Sequence, residues 1–171
     1  MTKLVETPYL QSISALINPR KYAVFGFLSL LITAGWLGAG YQWEWLSRVQ
    51  ENDLYKQLSG VALLVIILQQ WRFGLRRLAD KSYTMGFMDS HKLVGCILPI
   101  FILFHIRDLG IAYQRVLAIV ILVNCLIGIL NVEILRIGKP FFHNAWMASH
   151  IGLATIGLTL AFYHIYVVYL Y

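Results

Sequence analysis

The chain has 171 residues, of which 59% are hydrophobic and only 13% charged, and its mean hydropathy is +0.68. A soluble domain carries roughly 25% charged residues, so this composition cannot cover a water-exposed surface; it also excludes a disordered chain, a collagen, a coiled coil and a secreted disulfide scaffold. The net charge of +6 is not a nucleic-acid stripe, because Lys and Arg stand in short clusters that flank apolar runs, the pattern of membrane topology.

Residues 1–19 are mixed in polarity, with Leu10, Ile13, Leu16 and Ile17 spaced so that one face of a short helix can lie on the membrane surface. Pro19 then punctuates the entry to the first apolar run. A spanning helix needs about 20 mostly apolar residues, and the runs at 20–41, 55–76, 86–109, 112–135 and 145–170 meet that length. The expectation is an all-α integral membrane protein, with one domain over residues 20–171 built as a bundle of five transmembrane helices. The first run is too long for a signal-peptide core and lacks a compact basic start, so it reads as retained. Cys96 and Cys125 fall inside the third and fourth runs and form neither a CxxC nor a zinc-type pattern, which makes them buried thiols.

Arg20 and Lys21 precede the first span, Arg72, Arg76, Arg77 and Lys81 lie between the second and third, and Arg136 and Lys139 lie between the fourth and fifth. The opposite loops hold fewer cations and more carboxylates. By the positive-inside rule the N-terminus is inside and the C-terminus outside, in a bacterial cytoplasmic membrane or an organelle's inner membrane. The first, third and fifth spans then run parallel.

Four of the five histidines fall in two pairs of identical spacing, His91 with His105 in the third span and His150 with His164 in the fifth. Fourteen residues of α-helix rise about 21 Å and turn through about 1400°, some 40° short of four full turns. Both members of a pair therefore share a face, one near each boundary of a hydrocarbon core about 30 Å thick. Because the two spans are parallel, His91 meets His150 on the inner side and His105 meets His164 on the outer side. Neutral imidazole is a good axial ligand for haem iron, and two facing imidazoles make a six-coordinate site that passes electrons without an open position for a substrate. The pattern thus predicts two haem b groups stacked between the third and fifth spans. Intramembrane histidines also serve as polar glue between helices, but a separation of fourteen arises by chance in only roughly 1% of pairs. A proton relay through the histidines has no need of two pairs at matched depth.

Other residues support the pattern less specifically. Gly95 and Gly157 let a flat ring approach the backbone or let helices pack closely, and Gly26 and Gly40 repeat the fourteen-residue spacing on the first span. Pro99 should kink the third span. Lys92, Arg76 and Arg77 inside, with Arg107 and Arg115 outside, either pair haem propionates or only anchor helix ends. His143 reads as a loop or interfacial residue; the alternative makes it a proton acceptor beside an inner quinol site, with Asp89, Asn131 or Glu133.

The segment from His91-Lys92-Leu93-Val94-Gly95 to His105 resembles the first haem helix of the ferric-reductase-like transmembrane domain, which has a histidine, a basic residue, a nearby glycine and a second histidine fourteen residues on. Trp146-Met147-Ala148-Ser149-His150, running to His164, resembles that family's second haem helix. The resemblance covers roughly residues 55–170 and implies a bis-haem bundle that carries electrons across a membrane. That family's bundle usually has six helices, and its reductases add a flavin and nicotinamide domain. This chain stops at Tyr171 and has no GxGxxG or P-loop, so the expected donor is another polypeptide or a quinol. The two haem helices, with Gly26 and Gly40, also resemble cytochrome b of the quinol-oxidising respiratory and photosynthetic complexes. Expected partners are membrane lipid, the subunits of a larger redox complex and a quinone, with no nucleic acid. The reading from a different class is a haem-free structural or assembly subunit, for which the aromatic belt of Trp36, Trp43, Trp45, Tyr166, Tyr169 and Tyr171 is suited.

Overall fold

Long apolar runs close their backbone hydrogen bonds most economically within one helix, because lipid offers no partner for an open N–H or C=O. The computed structural model describes residues 19–79, 85–135 and 137–170, and these residues are helical apart from their connections. The expected surface segment over residues 1–19 lies outside them except for Pro19. Helix α1 is Pro19–Gly38, α2 Glu44–Glu51, α3 Asp53–Leu78, α4 Met85–His105, α5 Tyr113–Ile129, α6 the single turn Val132–Leu135, and α7 Pro140–Leu170.

Four of them, α1, α3, α4 and α7, are long and apolar enough to cross a membrane by length and composition. Their large apolar side chains point away from the protein: Val24, Leu28 and Leu31 on α1 and Leu54, Leu58 and Val65 on α3 each expose more than half their surface. Helices so apolar and so little buried need an apolar solvent.

The boundaries depart from the sequence reading at four places, each with a local cause. The run expected at 20–41 ends at Gly38, and Gly40 lies in a turn at φ +61°, so Gly26 and Gly40 do not share a helix. The run expected to 109 ends at His105, where the Gln50 amide donates to the carbonyls of Leu103, Phe104 and Ile106 at 3.0–3.1 Å in place of helix N–H groups. The run expected at 112–135 breaks after Ile129. Leu130 leaves the helical region, and the Asn131 side chain accepts from the Ile134 N–H at 3.0 Å, starting α6 afresh. That leaves α5 with 17 residues, shorter than the other four apolar helices. The last helix starts at Pro140, five residues earlier than expected, with proline in the first turn where its missing N–H costs nothing.

The short helix α2 has no counterpart among the expected elements. A Glu44–Arg48 ion pair spans one of its turns, and it buries Leu46 and Gln50. In the bundle, α4 packs on α1 and α3, α7 packs on α5, and α5 also touches α1 and α4. The core is the cluster of Leu63, Leu98, Ile102 and Cys125. Gly26 of α1 faces both α4 and α5 at close range: a Cβ there would stand 2.8 Å from Ile129 Cδ1 and 3.0 Å from Cys96 Sγ. Cys96 and Cys125 are buried free thiols, as expected. By contrast, α4 and α7, the two helices that carry the histidine pairs, share almost no backbone contact.

Candidate functional site

The space between α4 and α7 is a cavity of about 550 Å³, within the range of small-molecule and cofactor sites. Its wall is mostly apolar, and both His91 and His150 line it. Their ring centres are 6.2 Å apart and their planes stand at 89°. Metal–imidazole bonds are about 2 Å long and the ring centre lies about 1 Å behind the nitrogen, so two imidazoles on opposite sides of one metal have centres about 6 Å apart.

Each ring is held by an aromatic neighbour. Phe73 of α3 stacks on His91 at 5.0 Å, and Trp146, one turn before His150 on α7, stacks on it at 5.7 Å with planes only 5° apart. Trp146 is itself anchored, since its indole N–H donates to the Ile127 carbonyl of α5 at 2.7 Å. The His150 ring sits in a notch on α5 left by Gly128, where a Cβ would meet its Cε1 at 3.1 Å. It lies beside the Asn124 carbonyl, but its Nδ1 closes no hydrogen bond, and neither does that of His91. Trp71 Nε1 and Asn124 Oδ1, on residues that line the same cavity, are also buried without a partner.

At the other end of the two helices, His105 lies within electrostatic reach of His164. With His91 beside His150, this makes α4 and α7 parallel. The His105 ring fits a second glycine notch: a Cβ on Gly60 of α3 would meet its Cε1 at 3.2 Å. Its Nδ1 is 2.9 Å from Ser59 Oγ. The Tyr55 hydroxyl donates to the Phe104 carbonyl at 3.0 Å, so α3 holds the end of α4 at two points. His164 has its ring 6.0 Å from that of Tyr113, and its Nδ1 is buried without a partner.

Of the five cations considered for propionates, Lys92 lines the cavity. Arg76 lies over the Phe87 ring at 4.7 Å, Arg107 pairs with Glu51 at 2.7 Å and with the Gln42 side chain at 3.0 Å, and Arg115 donates to the Gly110 carbonyl. The Arg77 side chain is outside the described residues, as is that of Glu133. Gly95 and Gly157 line the cavity, but a Cβ on either would make ordinary contacts of 3.5 Å or more. The glycines that face imidazoles are Gly60 and Gly128, which the spacing argument did not single out. His143 is exposed on the first turn of α7, 6.1 Å from the Trp146 ring, and with Asn131 it reaches the cavity. Asp89 is on α4 and does not line it.

No family model matches the chain, and neither do curated proteins or solved structures. Among the described residues no three His, Cys, Asp or Glu side chains gather as a bare metal ion requires. At the His91/His150 level the donor set is two imidazoles beside a large apolar space, and that suits a metal whose remaining ligands arrive with it in a flat ring; His105 and His164 do not line that cavity.

Proposed function

We propose that this chain is a dihaem b-type cytochrome subunit, with His91 and His150 holding one haem iron and His105 and His164 the other. The observation that carries the reading is the 6.2 Å separation of the His91 and His150 rings across a cavity of about 550 Å³, between two helices that barely touch. When bound, the two haems would supply one-electron transfer between the faces of a membrane.

The chain's own residues hold, orient and insulate. Phe73 and Trp146 fix the ring planes at the first level, and Gly128 lets the His150 imidazole lie close to α5. Lys92 lines the cavity and is the cation proposed to pair a propionate there. The apolar lining around His91 and His150 excludes water and gives that level a low dielectric, which would tune the potential of a haem held there. In this reading α5 is the fifth crossing segment, and the Lys and Arg distribution puts the His91/His150 level on the inner side. The donor and acceptor are other subunits or a quinone, reached from the two ends of the bundle.

A dithionite-reduced minus oxidised spectrum of the purified protein, with haem b counted per chain as the pyridine haemochromogen, tests this directly. Two haems per chain are expected, falling to one in His91→Ala and to one in His164→Ala. A protein that purifies without haem from haem-replete cells overturns the proposal and favours a structural subunit.

A further inference from the structure

Of the four paired histidines, His91 and His164 have an Nδ1 that is buried without a partner, and His150 lies beside the Asn124 carbonyl without its Nδ1 closing a hydrogen bond. His105 differs, because its Nδ1 is 2.9 Å from Ser59 Oγ. The same Ser59 oxygen is 3.2 Å from the Lys56 carbonyl one turn back on α3. A serine hydroxyl has one proton and a carbonyl can only accept. The arrangement that satisfies both contacts therefore runs in one direction: the His105 Nδ1–H donates to Ser59 Oγ, and the Ser59 O–H donates to the Lys56 carbonyl. Gly60 beside Ser59 completes the cradle, because a Cβ there would press on His105 Cε1 at 3.2 Å.

We infer that Ser59 is a positioning residue for His105, locking its imidazole as the Nδ1–H tautomer so that Nε2 carries the lone pair, and making that nitrogen a stronger donor than its counterparts. The inference rests on the dihaem reading for its redox consequence but not for the tautomer. An outer partner on the distal nitrogen fixes ring orientation and raises the basicity of a metal-bound imidazole. A hydroxyl that is itself donating onward polarises and strengthens the bond it accepts. A more basic axial ligand favours the ferric over the ferrous ion. Ser59 thus lowers the potential of the His105/His164 haem relative to the value it has without this bond, and distinguishes two sites whose ligand spacing is the same.

Two readouts test this. In haem-free protein labelled with ¹⁵N-histidine, the His105 resonances, assigned by their loss in His105→Ala, are expected to show the Nδ1–H tautomer; Ser59→Ala should convert it to a mixture, and Ser59→Thr should restore it. In the haem-loaded protein, redox titration of Ser59→Ala should move one of two midpoints in the positive direction, the one missing in His164→Ala. The expected size is a several-fold to tenfold fall in the ferric-to-ferrous ratio at a fixed ambient potential, where tenfold corresponds to about 59 mV for one electron. The other midpoint should stay in place, and Ser59→Thr should return the shifted one. An unchanged His105 tautomer in Ser59→Ala overturns the inference, whatever the haem content. So does a titration in which both midpoints move together or neither moves. A wild-type protein without haem instead sinks the dihaem reading, and it does so before any Ser59 variant is made.

Discussion

The two ends of the α4–α7 pair carry the same residues at the same spacing and hold them by different means. At the His91/His150 end each imidazole stacks on one ring, Phe73 for His91 and Trp146 for His150, and neither Nδ1 closes a hydrogen bond, although His150 lies beside the Asn124 carbonyl. At the His105/His164 end the α4 imidazole is hydrogen-bonded to Ser59, and the last turn of α4 is tied down by Tyr55 and Gln50. Stacking fixes a ring plane but leaves the tautomer free. A hydrogen bond fixes the tautomer and tunes the nitrogen. Identical motifs in a sequence therefore do not imply identical sites.

The largest test of that difference is at the glycine notches. In the dihaem reading proposed above, Gly128→Val should drive a branched side chain into the His150 ring and empty the first site, leaving one haem per chain, whereas Gly60→Val should empty the second. A loss of both haems in either variant, measured by haemochromogen, would show that the two ends are not independent. Gln50→Ala comes next. It leaves three carbonyls at the end of α4 without their shared donor, and about 1–3 kcal/mol of stability should be lost. Thermal unfolding in detergent, compared with the release of each haem on heating, should show the second site failing first. The smallest effect is expected for Arg107→Ala. Its pair with Glu51 is exposed on both sides, so less than about 1 kcal/mol should be lost, and that difference should vanish at high salt. A large effect on haem content would instead assign Arg107 to a propionate.

The aromatic belt shows the same asymmetry. Tyr41, Trp43 and Trp45 are exposed near α2, and Tyr166 and Tyr169 are exposed at the end of α7. All lie at the His105/His164 end, where rings with one polar edge suit a membrane–water interface.

Much of the architecture was legible without coordinates. Residues of one helix that share a face are fixed by the 3.6-residue period, so the common face of His91 and His105, and that of His150 and His164, follows from spacing alone. The apolar runs likewise announce the long helices, because only a closed backbone tolerates lipid. The sequence did not reveal what crosses from one helix to another. Gly60, Gly128, Ser59 and Phe73 act on imidazoles carried by other helices, and their relevance depends on how α3 and α5 are rotated, which no periodicity within one helix specifies. Helix α2 was missed for a related reason. Its Leu46 and Gln50 stand four residues apart in a polar stretch too short to form a stable helix alone, and only the end of α4 gives them something to bury against. Which residues lie together along each helix is set by the order of residues alone, since that is local geometry. Which helices stand side by side, which stand apart around a cavity, and which imidazole finds a hydrogen-bond partner were decided by packing between segments distant in the chain.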